Sequence, residues 1–176
     1  MLVYLVRHTK VDVPQGTCYG QTDVPLASTF EQEATLTKQQ LDNLLPFDAV
    51  YSSPLSRARR LAAFCGYSHP ILDPRLKEMS MGDWEMQRYD EIKDVRLEAW
   101  YQDYMHLPTP NGESFPVLYQ RVAAFLDELK TTPHQRVLVF AHGGVLISAG
   151  LYAGLFGEAD AWDHLTDFGG IESIEI

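Results

Sequence analysis

Three short segments of the sequence place side chains that can carry positive charge at the ends of apolar runs. Arg7 and His8 end the first run, Arg57 follows soon after the second, and His142 directly follows the third. Arginine donates paired hydrogen bonds to phosphate oxygens, and histidine can act as a nucleophile or stabilise negative charge. Gly143 lets the backbone beside His142 approach a ligand closely. If the fold brings these residues together, they form a binding site for a phosphate-like anion.

The apolar runs predict the elements that would gather these side chains. Residues 2–6, 47–52 and 136–141 are short and apolar, as expected for strands buried on both faces, and 170–176 alternates like an edge strand. Four helices are predicted: one over 30–45, one that begins at the Ser53 cap and Pro54, one over Leu118 to Leu129, and one from His142 to about 155. A short strand is predicted at 69–72, and helical segments without clear boundaries are predicted within 81–105. The alternation predicts an α/β fold: three α/β/α layers around a mainly parallel sheet with one antiparallel edge strand. In such a sheet ligands bind beyond the carboxyl ends of the strands, where the three cationic segments lie.

Length and composition exclude several classes of protein. A chain of 176 residues with 45% hydrophobic and 22% charged residues predicts a single globular domain over residues 1–176. The net charge of -10 argues against a nucleic-acid partner. Cys18 and Cys65 form no disulfide framework, and the first apolar run is too short for a signal peptide or a membrane helix, so we expect a cytoplasmic protein without a membrane partner. No cluster has metal-ligand spacing, and neither a metal nor a cofactor is expected.

Four motifs, in order along most of the chain, resemble those of the histidine phosphatase superfamily, which includes the phosphoglycerate mutases. The matching segments are Leu5-Val-Arg7-His8-Thr9, Ser52-Ser53-Pro54-Leu55-Ser56-Arg57-Ala58, Glu78-Met-Ser-Met-Gly82-Asp-Trp84-Glu85 and Ala141-His142-Gly143-Gly144. The resemblance implies a phosphoglycerate mutase-like fold and hydrolysis of a small phosphomonoester through a phosphohistidine. His8 would be the nucleophile and Glu78 the proton donor. Arg7, Arg57 and His142 would hold the phosphoryl oxygens.

The segment from Cys18 to Leu26 resembles the corresponding loop of α-ribazole phosphatases, which remove the 5′-phosphate from an intermediate of cobalamin nucleotide-loop assembly. This resemblance implies substrate contacts at Tyr19, Gly20 and Gln21, and Gly143 is expected to contact the substrate as well. Tyr19 and Gln21 can equally serve only to shape the loop. Three other functions stay open: a phosphatase for a phosphosugar, nucleotide or phosphohistidine protein, a phosphoglycerate mutase, and an inactive phosphate-binding module.

The sequence departs from the family pattern at three positions. Thr9 and Met86 stand where glycine is usual, and Pro14 stands where many members have asparagine. Residues 81–110 are expected to cover the site, and Glu85 is expected to be a solvated charge. The pattern makes no prediction of the oligomeric state.

Overall fold

A five-stranded sheet forms the centre of the computed structural model, which describes residues 1–176. The strands are β1 (Leu2–Arg7), β2 (Ala49–Ser52), β3 (Ile71–Leu72), β4 (Arg136–Ala141) and β5 (Ile171–Glu175). They lie in the order β3-β2-β4-β1-β5, and every neighbouring pair is parallel except β1 with β5. This confirms the predicted mainly parallel sheet with an antiparallel edge strand.

Helices cover both faces of this sheet. They are α1 (Phe30–Asp42), α2 (Ser56–Phe64), α3 (Arg96–Gln102), α4 (Phe115–Leu129) and α5 (Gly143–Tyr152), with 3₁₀ helices at Pro74–Leu76, Gly82–Trp84 and Glu158–His164. Alternation along β1 sends Val3 and Leu5 into one apolar core with α4 and α5, and Tyr4 and Val6 into a second core with α1 and α2. The two cores give the predicted three layers. No helix is long and apolar enough to cross a bilayer.

Helix α2 begins later than the sequence predicts. The Ser53-Pro54 pair lies before the helix, whose cap position is Leu55 in extended conformation. The hydroxyl of Ser53 accepts the N–H of Leu55 at 3.2 Å and also contacts His142. The first helical N–H, that of Ser56, instead donates to the Asp23 carboxylate at 2.9 Å. The cap is therefore supplied by a loop distant in the sequence, which a local capping pattern cannot reveal.

Two other helices end earlier than expected. Helix α1 stops at Asp42 rather than 45, because Leu45 precedes Pro46 and the residue before proline disfavours helical backbone. Helix α5 stops at Tyr152 rather than about 155. Gly154 takes φ +71° there, and the N–H of Leu155 closes the end of the helix on the Gly150 carbonyl.

Met86 has left-handed backbone, with φ +65°, at a position where the family pattern has glycine. A side chain costs about 1–2 kcal/mol in this region, whereas glycine in an ordered chain costs about 0.5–1 kcal/mol of entropy. Met86 is 49% exposed, so replacing it with either glycine or alanine loses a similar amount of buried side chain. We expect Met86→Gly to have a free energy of unfolding about 0.5–1 kcal/mol higher than that of Met86→Ala, which keeps Cβ, in urea denaturation. Equal stability of the two variants would contradict relief of backbone strain.

Candidate active site

The carboxyl ends of β1 and β4 lie side by side and bring two of the cationic segments together. Arg7, the last residue of β1, pairs with Ala141, the last residue of β4. His8 and His142 are therefore neighbours, with ring centroids 5.2 Å apart. Arg57, at the start of α2, acts electrostatically on both histidines. The fold thus gathers the three segments at one edge of the sheet.

The two ring nitrogens of His8 have different environments. Nδ1 donates a hydrogen bond to the carbonyl oxygen of Thr9 at 2.7 Å, whereas Nε2 has no protein partner. Burial is the main reason that the pKa of His8 falls from 6.5 to about 3, and the charges of Arg57 and Arg7 act in the same direction. The ring is therefore neutral near pH 7. Its proton is on Nδ1, so the lone pair of Nε2 is available for nucleophilic attack.

Arg7 is held by a loop that lies outside the four motifs. Its Nη1 donates to the carbonyl oxygen of Thr166 at 2.7 Å, and its guanidinium carbon lies 3.9 Å from the ring centroid of Phe168. The same phenyl ring lies 5.5 Å from the His8 ring. Phe168 therefore positions both the arginine and the histidine, and no motif or spacing in the sequence marks it.

Arg57 is fully buried and bonds only to backbone carbonyl oxygens. Nη1 donates to Thr22 at 3.0 Å and Nη2 donates to Gly20 at 2.6 Å. Burial lowers the pKa of Arg57, as it does that of Arg7. The Nε atoms of both arginines are buried without a partner. With no carboxylate bonded to either guanidinium, the positive charge of the pair remains available to an anion.

His142 completes the group of cationic or polar donors. Its Nε2 lies 2.7 Å from the hydroxyl of Ser53, while its Nδ1 is buried without a partner. Burial, followed by the charge of Arg57, holds the pKa of His142 well below 6.5. The Ser53 oxygen accepts the N–H of Leu55, and the Ser53 hydroxyl can donate its own hydrogen bond to Nε2 of His142. In that arrangement the ring proton is on Nδ1, which can donate to a phosphoryl oxygen.

Glu78 enters the site from the loop after the Pro74–Leu76 helix. One carboxylate oxygen accepts the N–H of Met79 at 2.8 Å, and the other accepts the N–H of Gly144 at 3.2 Å. Its main-chain carbonyl accepts Nη2 of Arg121 at 2.9 Å and Nε2 of Gln21 at 3.1 Å. Arg121 also pairs with a carboxylate on the chain segment before α4. Both the backbone and the side chain of Glu78 are therefore fixed.

The three loop residues singled out for substrate contact occupy different places. Tyr19 lines the cavity described below, and its ring centroid lies 5.4 Å from the Arg57 guanidinium carbon. Gly20 is buried, and a Cβ there would collide with the Met79 carbonyl. The side-chain amide of Gln21 is engaged with the Glu78 carbonyl rather than with the cavity. Gly20 and Gln21 therefore act on the loop itself.

Glu85 holds the loop that contains Gln21 and Thr22 in place beside the site. Its carboxylate accepts four hydrogen bonds, from the N–H groups of Gln21, Thr22 and Met81 and from the Thr22 hydroxyl. Burial acts to raise the pKa of Glu85, but these hydrogen bonds outweigh it and lower the pKa overall. The expectation of a solvated charge was wrong, because the donors come from a loop remote in the sequence. Glu85 fixes the Gly20–Thr22 carbonyls that orient Arg57.

The two glycines after His142 permit close packing. A Cβ on Gly143 would lie 2.8 Å from Leu165 and 3.4 Å from Nε of Arg7. A Cβ on Gly144 would lie 2.5 Å from a carboxylate oxygen of Glu78. Gly143 therefore lies directly against Arg7, and Gly144 allows the backbone contact with Glu78.

A cavity of about 510 Å³ opens onto His8, Arg7 and Glu78. Its remaining walls are aromatic or thioether side chains: Tyr19, Met79, Met81, Tyr89, Trp100, Tyr104, Phe115 and Trp162. The volume falls within the usual range for small-molecule sites. Four of these residues come from 81–110, whereas Trp162 lies in a segment that carries none of the four motifs.

The arrangement suits transfer of a phosphoryl group. The two guanidiniums, neither of which is bonded to a carboxylate, and the His142 Nδ1 can stabilise the equatorial oxygens, where negative charge spreads in the transition state. Neutral His8 supplies the nucleophilic nitrogen, and Glu78 supplies a carboxyl group on the cavity side. No group of three or more His, Cys, Asp or Glu side chains is placed to hold a metal ion.

Comparison with known proteins agrees with this geometry. The family model of the histidine phosphatase superfamily (branch 1) matches residues 3–175. The chain is 34% identical over 190 residues to the adenosylcobalamin/alpha-ribazole phosphatase of Escherichia coli strain K12, covering 100% of this chain and 90% of that protein. It is 31% identical over 183 residues to a Hydrogenobacter thermophilus protein named "Putative phosphoserine phosphatase 2", covering 99% and 89%.

A solved structure has the same fold. The crystal structure of the alpha-ribazole phosphatase from Shigella flexneri superposes with a TM-score of 0.88 at 31% identity, covering 100% of this chain and 91% of that one. The four motifs, the gathered arginines and histidines and the family match lead to one conclusion: the chain belongs to the histidine phosphatase superfamily.

Proposed function

We propose that this protein hydrolyses phosphomonoesters through a phosphohistidine on His8 and that its substrate is α-ribazole 5′-phosphate. The observation that carries the proposal is the state of His8: neutral, with Nδ1 bonded to Thr9 and Nε2 free beside Arg7 and Arg57. A neutral imidazole held in this tautomer is ready for in-line attack on phosphorus.

The proposed reaction has two balanced steps. In the first, Nε2 of His8 bonds to phosphorus, the P–O bond to the leaving group breaks, and Glu78 in its acid form protonates the departing alkoxide. In the second, the Glu78 carboxylate takes a proton from water, whose oxygen attacks phosphorus and breaks the P–N bond. Inorganic phosphate leaves, and His8 and Glu78 return to their starting states.

The chemistry of the cavity supports an aromatic leaving group. Beyond Arg7, His8 and Glu78, the wall is made of aromatic rings and methionines, including Tyr89 and Trp100. The carboxylate of phosphoglycerate, or the ammonium and carboxylate of phosphoserine, would be desolvated against that wall without a charged partner. The base of α-ribazole would instead bury apolar surface. The names of the Escherichia coli and Shigella flexneri relatives point to the same substrate.

We also propose that residues 81–110 cover the site. Met81, Tyr89, Trp100 and Tyr104 of this segment line the cavity opposite the sheet edge. Met81 belongs to a small apolar cluster with Cys18 and Trp84, separate from the two cores of the sheet, and Tyr89 and Trp100 pack against that cluster. Closure of this segment over a bound substrate would exclude water during the first step.

A substrate panel tests the proposal. We expect kcat/KM for α-ribazole 5′-phosphate to exceed that for 3-phosphoglycerate, phosphoserine, a phosphosugar and phenyl phosphate by at least about a hundredfold, the magnitude expected from burial of a bicyclic ring. Similar values across the panel would overturn the substrate while leaving a phosphatase. No turnover of any member, with inorganic phosphate still bound, would mean that the protein is a phosphate-binding module.

A further inference from the structure

Arg121, in α4, uses all five of its N–H groups on protein acceptors. Nη1 donates to the carbonyl oxygens of Arg75 at 2.7 Å and Lys77 at 2.6 Å, and Nη2 donates to that of Glu78 at 2.9 Å. Nε and Nη2 also donate to the two carboxylate oxygens of Glu113, at 2.9 and 2.8 Å. Arg121 therefore has no donor left for a substrate, in contrast to the two arginines of the phosphate site.

Glu113, just before α4, holds the same stretch of chain at its other end. Its carboxylate accepts the N–H of Ser80 at 2.8 Å in addition to the two bonds from Arg121. Burial acts to raise the pKa of Glu113, but these bonds outweigh it and lower the pKa overall. The two side chains are only 17% and 18% exposed. Because a paired arginine–carboxylate contact fixes the relative orientation of both groups, the pair is a rigid anchor for residues 75–80.

One peptide group connects this anchor to the Glu78 carboxylate. The Glu78 carbonyl accepts from Arg121, and the Met79 N–H, on the opposite side of the same planar group, donates to a carboxylate oxygen of Glu78 at 2.8 Å. A rotation of that plane would withdraw the Met79 N–H from the carboxylate. The other oxygen accepts a longer bond, 3.2 Å, from Gly144, and Gln21 adds a neutral donor to the carbonyl. Arg121 therefore orients the carboxyl group without touching it.

We propose that Arg121 and Glu113 are positioning residues that hold Glu78 in the orientation required to protonate the leaving group. This inference rests on the proposed phosphomonoesterase activity, in which Glu78 is the acid. A proton donor must lie within hydrogen-bond reach of the atom it protonates, and a misplacement of about 1 Å can lower a rate about a hundredfold. Loss of the anchor should therefore affect substrates whose leaving group needs a proton and spare those whose leaving group does not.

Two substrates of similar size distinguish this role from a general loosening of the fold. The p-nitrophenolate ion leaves as a stable anion, whereas a benzyl alkoxide must be protonated as it departs. The measured quantity is kcat/KM, because it reports the steps up to and including cleavage of the P–O bond. Arg121→Lys keeps the charge but has fewer donors. We expect it to lower kcat/KM at least about tenfold for benzyl phosphate and less than about twofold for p-nitrophenyl phosphate.

Arg75→Lys is the matched control. Arg75 also joins the Pro74–Leu76 helix to α4, through ion pairs with Asp73 and Glu128. Its side chain makes no hydrogen bond to residues 77–80. The ratio of kcat/KM for benzyl phosphate to that for p-nitrophenyl phosphate should therefore stay at the wild-type value, even if the Tm falls. An unchanged ratio in Arg121→Lys, or an equal change in Arg75→Lys, would overturn the positioning role.

Glu113→Gln covers the case in which Arg121→Lys does not fold. The amide keeps the shape of the side chain but loses its charge and one of its two acceptor oxygens. The same ratio should fall at least about threefold, the size of one hydrogen bond. A wild-type ratio in a folded Glu113→Gln protein would overturn the inference.

A double-variant comparison ties the effect to Glu78. Glu78→Gln should lower the ratio at least as much as Arg121→Lys does, and the two changes together should lower it no further, because both act on one proton transfer. Fully multiplicative effects would overturn the inference. Failure of the proposed function is a separate result: it would appear as a wild-type ratio in Glu78→Gln itself, or as no turnover of either phosphate and no labelling of His8.

Discussion

Replacing His8 with asparagine should lower kcat by at least about 10⁴-fold, because the covalent step loses its nucleophile. The asparagine amide can still donate to the Thr9 carbonyl that now accepts Nδ1 of His8. The positions of Arg7, Arg57 and His142 around residue 8 should therefore be unchanged, and the affinity for inorganic phosphate should change little. Steady-state turnover and the affinity for inorganic phosphate are measured on the same preparation.

Trapping of the intermediate separates the loss of a nucleophile from general damage. Wild-type protein mixed with phosphate-labelled substrate and quenched rapidly should retain an acid-labile, base-stable label, as phosphohistidine does. His8→Asn should retain none. His69→Asn is the matched control, since His69 is exposed. Full labelling of His8→Asn would show that another residue accepts the phosphoryl group.

Acidification should destabilise the folded protein through its two buried histidines. Unfolded histidine has a pKa near 6.5, whereas the folded pKa is about 3 for His8 and well below 6.5 for His142. Below pH 6.5 His8 and His142 bind protons in the unfolded chain but stay neutral in the folded chain. The free energy of unfolding therefore falls as the pH falls. Each histidine contributes a slope of up to about 1.4 kcal/mol per pH unit. Between pH 7 and pH 5 His8 alone should remove about 2 kcal/mol, and His142 acts in the same direction.

Urea denaturation at pH 7 and pH 5 measures this loss, with the double variant His8→Asn/His142→Asn as the reference. The double variant should lose at least about 2 kcal/mol less than the wild type over that interval, whatever its stability at pH 7. Exposed groups cancel in the comparison. His106, for example, has its pKa raised by Asp103 and acts in the opposite direction in both proteins. Parallel pH dependences would show that neither histidine is held neutral by the fold.

The parts predictable from sequence are those in which a local pattern decides the structure. Unbroken apolar runs such as 136–141 can be buried on both faces only in a central strand, so β4 follows from its own residues. Once the strands are known, the carboxyl edge of a parallel sheet brings Arg7, Arg57 and His142 together. The motifs added Glu78, which lies on a loop and has no regular pattern.

The parts that the sequence did not reveal depend on partners distant in the chain. Ser53 resembles a helix cap, but its hydroxyl lies between Leu55 and His142, 89 residues away. Glu85 resembles a surface carboxylate until the Gln21–Thr22 loop supplies its donors. Phe168 has no local signal at all. Each case requires a tertiary contact that neither propensity nor periodicity encodes.

The anchoring of Arg57 limits how this protein can be re-engineered. Its guanidinium is oriented by the Gly20 and Thr22 carbonyls, and the same stretch of chain carries Tyr19 into the cavity wall. The placement of Arg57 and that of the Tyr19 ring therefore depend on the same stretch of chain. Replacing this loop with that of a relative, in order to change substrate preference, would also move Arg57. A matching carboxylate at position 85 would have to be kept to hold the new loop in place.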